Sequence, residues 1–183
     1  ERFDEFLSTA GLHLVLECAA PDAVRSYAEA VLSQGNDLMV MSTGAFTDTT
    51  FFEKLSDLAQ KKGLRLVAPS GALGGIDALR AARDQLEEVT LTTTKPPQGL
   101  RGAPGFKEWE AKEIDEPQVI YEGPALEAVK LFPANVNVAA TLSLAGIGPT
   151  KTIVKIVADP KAPGNVHEIM ARGDFGGMRF TLQ

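Results

Sequence analysis

The strongest constraint on the fold is a strand-like segment followed by a helix-forming segment, a pairing that occurs twice in succession near the start of the sequence. Residues 12–17 form an apolar run typical of a buried strand, and Pro21 opens a helix that we expect to stop at Gly35. Residues 38–42 predict the next strand, and a helix is predicted over residues 49–62. Strands that alternate with helices of this length predict parallel β-α-β units with helices covering both faces of the sheet.

A third strand is predicted directly after the second helix. We expect Thr47 or Asp48 to cap that helix, Gly63 to end it and residues 64–69 to form the strand. Ligands of such sheets bind beyond the carboxyl ends of the strands. Three segments of small or polar residues follow the three strands and are expected to face one crevice: Cys18-Ala19-Ala20, Ser42-Thr43-Gly44-Ala45 and Ser70-Gly71-Ala72-Leu73-Gly74-Gly75.

The third of these segments, residues 70–75, is the richest in glycine and precedes a helix predicted over residues 76–85. Small residues at such a position let backbone N–H groups approach a ligand closely. The alternative is a glycine turn that only reverses the chain, because glycine-rich motifs specify function loosely.

The character of the sequence changes near residue 87. The segment 96–107 is a long connection in which we expect no regular structure. Mostly antiparallel strands with helices on one face predict an α+β domain here, so we place two domains at residues 1–86 and 87–183. The strands of the second domain are predicted at residues 89–94, 151–157, 166–172 and 177–183.

Residues 132–141, with the sequence Phe-Pro-Ala-Asn-Val-Asn-Val-Ala-Ala-Thr, predict the start of an apolar helix that carries two amides. Asn135 and Asn137 fall beside the N–H groups that a helix leaves without intrahelical partners. An amide offers donors and acceptors, so the pair suits a small ligand that bears a carboxylate. For Asn135, the alternative is that it only caps the helix.

His167 lies where a polar loop becomes a strand, a position from which a side chain can project into a cleft. An imidazole with an ordinary pKa of about 6.5 suits proton transfer near neutrality. The alternative is an exposed histidine hydrogen-bonded to Glu168 or solvent. The other histidine, His13, lies among leucines and is expected to be a core or edge residue.

Three further side chains are chemical candidates. Cys18, at the carboxyl end of a predicted strand, is either a thiolate nucleophile paired with His167 or a small buried apolar residue. Lys95 and Lys130 are able to steer carboxylates, with ordinary solvated lysines as the alternative.

Composition limits the kinds of molecule that this protein is expected to bind. A formal net charge of −6 and a pI of about 5.0 argue against nucleic acid and anionic membranes as partners. One cysteine and two histidines do not complete a four-ligand zinc site, and we expect no metal. The sequence has no apolar stretch near the roughly 20 residues of a membrane span. We therefore expect a soluble, cytoplasmic protein.

Taken together, the motifs resemble those of L-aspartate dehydrogenase in order and spacing, over nearly the whole chain. The Asn-x-Asn helix and the later His-Glu-Ile are the most specific of them. The motifs are Glu17-Cys18-Ala19-Ala20-Pro21, Met41-Ser42-Thr43-Gly44-Ala45, Pro69-Ser70-Gly71-Ala72-Leu73-Gly74-Gly75-Ile76-Asp77-Ala78-Leu79, Thr94-Lys95-Pro96-Pro97, Phe132-Pro133-Ala134-Asn135-Val136-Asn137-Val138-Ala139-Ala140 and Asn165-Val166-His167-Glu168-Ile169.

The resemblance implies an α/β enzyme in which part of a Rossmann sheet binds NAD or NADP and an α+β domain holds substrate and forms a homodimer. L-Aspartate would lose a hydride from Cα to give iminoaspartate, which feeds NAD biosynthesis or hydrolyses to oxaloacetate and ammonia. His167 matches the catalytic acid/base, and Asn135, Asn137 and His167 are the expected substrate contacts. The expected cofactor contacts are Cys18, Ala19, Ala20, Ser42, Gly44, Ser70, Gly71, Ala72 and Asn137.

The chain also departs from this family. The family opens with a strand, a Gly-x-Gly-x-x-Gly turn and an acidic residue about twenty positions on, which holds the adenosine ribose. These features do not precede Glu1, and the family's final helical segment does not follow Gln183, so we expect a fragment of a longer protein. The choice between NAD and NADP is then unreadable. Two alternative functions are a related semialdehyde dehydrogenase that uses Cys18 and a non-catalytic dimerising fragment.

Overall fold

The structure is a computed structural model that describes residues 2–133 and 136–183. Asn135, one of the two predicted amides, lies outside the described residues. Contacts within the chain divide it into two compact units, Glu1–Pro69 and Ser70–Gln183, which we call the first unit and the second unit. The sequence analysis placed the boundary later, between residues 86 and 87.

The first unit contains a parallel sheet whose strands are linked by helices. The strands lie in the order β1-β2-β3, and both neighbouring pairs are parallel. The predicted parallel β-α-β units are therefore confirmed. The elements are α1 (Arg2–Leu7), β1 (Leu14–Glu17), α2 (Pro21–Ser33), β2 (Asp37–Val40), α3 (Thr49–Lys62) and β3 (Leu66–Val67).

Helix α3 begins and ends where its local sequence predicts. The carboxylate of Asp48 accepts a hydrogen bond of 3.1 Å from the N–H of Phe51, which satisfies a donor of the first turn. Gly63 ends the helix in the left-handed conformation, with φ of 66°, as glycine allows without steric penalty. The side chains of Leu55 and Ala59 are buried, so the helix is fixed by one apolar face and two caps.

The second unit is a mixed five-stranded sheet with helices. The sheet order is β5-β6-β4-β7-β8; β4 and β6 are parallel, and the other neighbours are antiparallel. This agrees with the predicted α+β organisation. The elements are α4 (Ile76–Ala81), β4 (Leu86–Lys95), β5 (Gln118–Pro124), α5 (Ala125–Leu131), α6 (Val136–Ala145), β6 (Ile153–Ala158), β7 (Val166–Gly173) and β8 (Gly176–Leu182).

One face of this sheet carries the core. Leu91 of β4, Ile156 of β6 and Ile169 of β7 are buried there together with Leu142 of α6. Leu79 of α4 belongs to the same core, and this packing explains why residues 70–86 belong to the second unit rather than to the first.

The second unit also contains elements that the sequence analysis missed. Strand β5 and helix α5 were not predicted, and a register shift between Val119 and Tyr121 breaks the alternation by which β5 would be recognised. The connection 96–107, where no regular structure was expected, contains the 3₁₀ helix Pro97–Leu100 and part of another at Pro104–Trp109. Buried apolar residues, Leu100 and Phe106, anchor these short helices on the core.

Candidate active site

His167 lies on β7 with its side chain on the buried face of the sheet. It is only 9% exposed, and in the sheet register it stands opposite Thr93 of β4. Its Nδ1 shares a hydrogen bond of 3.0 Å with the Thr93 Oγ1, and Thr93 is itself fully buried. The alternative of an exposed histidine bonded to Glu168 is therefore wrong, since Glu168 forms an ion pair with Arg179 instead.

The surroundings of His167 favour the neutral imidazole. Burial lowers its pKa below the ordinary value of 6.5, and the positive charge of Lys95 lowers it further. A neutral imidazole near pH 7 is able to accept a proton. Because Thr93 engages Nδ1, Nε2 is the nitrogen left to exchange a proton with a ligand.

Lys95 is the last residue of β4, and only 7% of its surface is exposed. Its solvated interpretation is therefore wrong, and burial lowers the pKa of its ammonium. Its backbone carbonyl accepts a hydrogen bond of 2.9 Å from the N–H of Asp159, which holds the strand end in place. The sequence carried a signal for this burial, because Leu91, Thr93 and Lys95 alternate along one strand and so share a face.

Asn137 is the second residue of α6 and belongs to its first turn. Its side chain is exposed. Of the two predicted amides it is the one the structure describes, and it lies at the helix start as the sequence predicted.

The segment 70–75 is a turn in the second unit that precedes α4. Ser70, Gly71 and Ala72 are exposed. Gly75 has φ of 75°, and a Cβ placed on it would lie 2.5 Å from the ring of Phe180. Packing against β8 thus explains the glycine. Because Leu182 lies 3.2 Å from the corresponding position on Gly74 and is the register partner of His167, the turn lies at the His167 end of β8.

In the first unit, the carboxylate of Glu17 joins two of the predicted segments. It accepts hydrogen bonds from the N–H groups of Ala19 at 2.7 Å and Ala20 at 3.0 Å. It also accepts from the N–H of Ser42 at 3.0 Å and from its hydroxyl at 2.9 Å. The structure therefore brings segments 18–20 and 42–45 together, through a residue that the sequence analysis had not singled out.

The remaining predicted side chains of the first unit differ in exposure. Cys18 is a free, exposed cysteine, so its interpretation as a buried apolar residue is wrong. Ser42 and Gly44 are buried, and Gly44 lies in the 3₁₀ helix Thr43–Thr47. His13 precedes β1 and is exposed, which contradicts a core position.

Residues 2–133 and 136–183 contain neither a metal-binding cluster nor a membrane-spanning helix. No group of three or more histidine, cysteine, aspartate or glutamate side chains there is arranged to hold a metal ion. Within the same ranges, every helix is too short or too polar to cross a membrane. In the second unit, His167, Thr93 and Lys95 are the described side chains that bring acid–base chemistry and a positive charge to one face of the sheet.

Comparison with known protein families assigns both units. Residues 77–183 match the family described as "Aspartate dehydrogenase, C-terminal", and residues 1–69 match "Homoserine dehydrogenase, NAD binding domain". The chain belongs to the aspartate dehydrogenase family. The resemblance drawn from the motifs is thereby confirmed, and the match of residues 1–69 supports the predicted cofactor class, NAD or NADP.

Individual relatives agree with this assignment. The chain is 45% identical to the L-aspartate dehydrogenase of Nitrosopumilus maritimus over 97% of its own length and 66% of that protein. It is 48% identical to that of Methanosarcina barkeri over 92% of its length and 64% of the relative. The crystal structure of aspartate dehydrogenase from Thermotoga maritima superposes with a TM-score of 0.82 at 34% identity, over 93% of this chain and 68% of the other. The chain thus spans about two thirds of the length of these relatives.

Proposed function

We propose that this chain belongs to an NAD- or NADP-dependent L-aspartate dehydrogenase, which oxidises L-aspartate to iminoaspartate. The observation that carries the proposal is the buried His167–Thr93 pair, with Lys95 on the same face, inside the unit that matches the aspartate dehydrogenase family. The product then hydrolyses to oxaloacetate and ammonia or supplies NAD biosynthesis.

In this proposal His167 is the acid/base. L-Aspartate enters with an ammonium group, and the amine must lose a proton before its lone pair can help to expel hydride from Cα. A neutral imidazole is able to take that proton, and its pKa is held low enough by burial and Lys95 to keep it neutral near pH 7. The hydrogen bond to Thr93 fixes the ring and directs Nε2 to the substrate amine. Asn137, at the start of α6, contacts substrate and cofactor, and Asn135 is proposed as its partner from the sequence.

The residues at the strand ends of the first unit fit the uncharged part of a dinucleotide. Cys18, Ala19 and Ala20 are small and exposed, so a flat ring can lie against them. The N–H groups of Ala19, Ala20 and Ser42 donate to Glu17, so these donors are not available to a phosphate group. A nicotinamide cofactor held by these residues would supply the acceptor for the hydride of Cα. The proposed cofactor contacts are Cys18, Ala19, Ala20, Ser42, Gly44, Ser70, Gly71, Ala72 and Asn137.

We also propose a cytoplasmic homodimer that forms through the second unit. Helices α4, α5 and α6 all contribute to the core on one face of the sheet. The opposite face carries partly buried apolar residues such as Ile153 and Val157, with Met170 exposed, and a second copy would cover them. Sedimentation at micromolar concentration tests this, and a monomer there would contradict it.

A substrate comparison tests the proposed activity. The full-length enzyme is assayed for reduction of NAD and NADP with L-aspartate, L-glutamate, L-alanine and aspartate semialdehyde. We expect rapid turnover of L-aspartate and poor turnover of the other three. Equal turnover of L-alanine would contradict a site for a dicarboxylate, and preference for the semialdehyde would favour the thiol-dependent alternative.

A further inference from the structure

The side chain of Lys95 is largely buried beside the proposed acid/base, on the same face of the sheet. Lys95 and His167 are both more than nine-tenths buried, and both lie on the core face of the same sheet. Thr93 links them, since it is two residues before Lys95 on β4 and bonds to His167. Lys95 is therefore a diagonal neighbour of His167 across the antiparallel pair β4–β7, and such neighbours lie on one face roughly 7–8 Å apart, which is about the span of a small amino acid and its hydrogen bonds.

The ammonium of Lys95 has no carboxylate partner in the part of the chain that the structure describes. The ion pairs of the other lysines and arginines there involve Arg25, Lys54, Arg65, Lys155 and Arg179. Burial of the Lys95 side chain weakens the hydration of its ammonium and lowers its pKa, so a charge there without a counter-ion is unfavourable. Such a charge is retained where a ligand supplies the opposite charge.

We propose that Lys95 binds a carboxylate of the amino-acid substrate and so places the substrate's amino group next to His167. The inference rests on the proposed function and adds a substrate-binding residue to it. An amino-acid carboxylate and its amine are separated by a short distance, which a cation and a neutral base on neighbouring strands of one sheet face can span. Binding also supplies the counter-charge that the described residues do not give to Lys95.

This assignment has a consequence for the proton transfer. Without substrate, the charge of Lys95 disfavours a second positive charge on His167. A carboxylate bound to Lys95 offsets that charge, so His167 becomes a better proton acceptor once substrate has arrived. Lys95 therefore couples substrate binding to the removal of the amine proton.

The test uses two substitutions of Lys95 and a matched control in the full-length enzyme. Lys95→Met removes the charge and keeps an unbranched apolar side chain, whereas Lys95→Arg keeps the charge. The control is Lys155→Met on β6, because Lys155 opposes Thr92 in the register and pairs with Glu122 at 3.1 Å, away from the core face. KM for L-aspartate, kcat, the Kd of the nicotinamide cofactor and the Kd of succinate, a dicarboxylate without an amine, are measured for each.

We expect Lys95→Met to raise the KM for L-aspartate and the Kd of succinate about 10- to 100-fold, the loss typical of a hydrogen bond to a charged group. The Kd of the cofactor stays unchanged, Lys95→Arg recovers part of the loss, and Lys155→Met behaves as wild type. A purely structural lysine would instead alter Tm without changing succinate binding. Unchanged KM and succinate Kd in a folded Lys95→Met enzyme overturn the inference.

A second neutral variant and thermal melts distinguish loss of folding from loss of substrate binding. Lys95→Gln serves as a second neutral variant, and thermal melts identify which variants are folded. If the wild-type enzyme does not oxidise L-aspartate, the proposed function fails, but the succinate titration still decides the role of Lys95. Lys95-dependent binding of succinate supports the inference in that case, and binding that is independent of Lys95 overturns it.

Discussion

Glu17 and Lys95 are both charged residues at the carboxyl end of a strand, but they differ in the partners that the described residues give to their charges. In the first unit, the carboxylate of Glu17 receives four hydrogen bonds, from the N–H groups of Ala19, Ala20 and Ser42 and from the Ser42 hydroxyl. In the second unit, Lys95 is buried, and no described carboxylate pairs with its ammonium. Within the described residues, the charge of Glu17 has hydrogen-bond partners and the charge of Lys95 has no counter-ion.

This difference distinguishes a structural charge, that of Glu17, from the charge of Lys95, which we propose binds a ligand. Hydrogen bonds from backbone N–H groups to a carboxylate fix loop geometry, because several groups must hold one arrangement to share one acceptor. A buried ammonium without its anion gains more from a carboxylate ligand than an exposed one would. We therefore expect substitutions of Glu17 to change stability first and substitutions around Lys95 and His167 to change catalysis first.

The largest effect is expected at His167. His167→Ala removes the proposed acid/base, and kcat should fall about 10²- to 10⁴-fold, the usual contribution of positioned acid–base catalysis. Cofactor affinity should change little. Steady-state kinetics and cofactor titration of the full-length enzyme measure both. His13→Ala, at an exposed histidine of the first unit, is the control. A kcat close to that of wild type would remove His167 from the mechanism, and loss of cofactor binding alone would make it a cofactor contact.

Glu17→Ala should act mainly on the first unit. It leaves three backbone N–H groups and the Ser42 hydroxyl without their acceptor, and we expect the free energy of unfolding to drop by about 1–3 kcal/mol. Cofactor affinity should weaken because segments 18–20 and 42–45 are no longer held together. Denaturant unfolding and cofactor titration test this, with Glu53→Ala, an exposed carboxylate on α3, as the control. A variant as stable as wild type would show that Glu17 is not the structural charge.

The pH dependence of kcat/KM should report the pKa of His167 and the effect of Lys95 on that pKa. Burial and Lys95 lower its pKa, so the acidic limb should lie below pH 6.5, and activity should fall as the imidazole takes up a proton. The two residues that face His167 from the neighbouring strands, Thr93 on β4 and Leu182 on β8, carry no charge. In Lys95→Met the limb should move to higher pH, because the opposing charge is gone. An unmoved limb in that variant would contradict the electrostatic coupling.

The smallest effect is expected at Cys18. Hydride removal from an amine carbon needs no covalent intermediate, so Cys18→Ser should keep most of the activity. Initial rates with L-aspartate under saturating cofactor measure this. A fall of about a thousandfold in a folded variant would favour the thiol-dependent semialdehyde dehydrogenase.

Local signals in the sequence predicted much of the fold. Asp48 and Gly63 set the limits of α3 through contacts with nearby residues, so the sequence alone was sufficient there. Strand β5 was missed because a register shift interrupts its alternation. The role of Glu17 depends on Ser42, 25 residues away, and sequence patterns do not report such a contact.

The candidate site was predicted in part. His167 was selected because a histidine at a loop-to-strand junction suits proton transfer, but its partner Thr93 lies 74 residues away, and only the strand pairing reveals it. For Lys95 the sequence left open a residue that steers carboxylates and an ordinary solvated lysine, although its spacing from Leu91 and Thr93 placed it on the core face. Only the structure shows that no described carboxylate pairs with Lys95.

The central claim is that the enzyme removes a hydride from Cα of L-aspartate. The direct measurement uses L-aspartate deuterated at Cα and analyses the reduced cofactor by mass spectrometry. We expect the reduced nicotinamide to carry the deuterium and His167→Ala to transfer it far more slowly. Reduced cofactor formed from this substrate without deuterium would contradict the account.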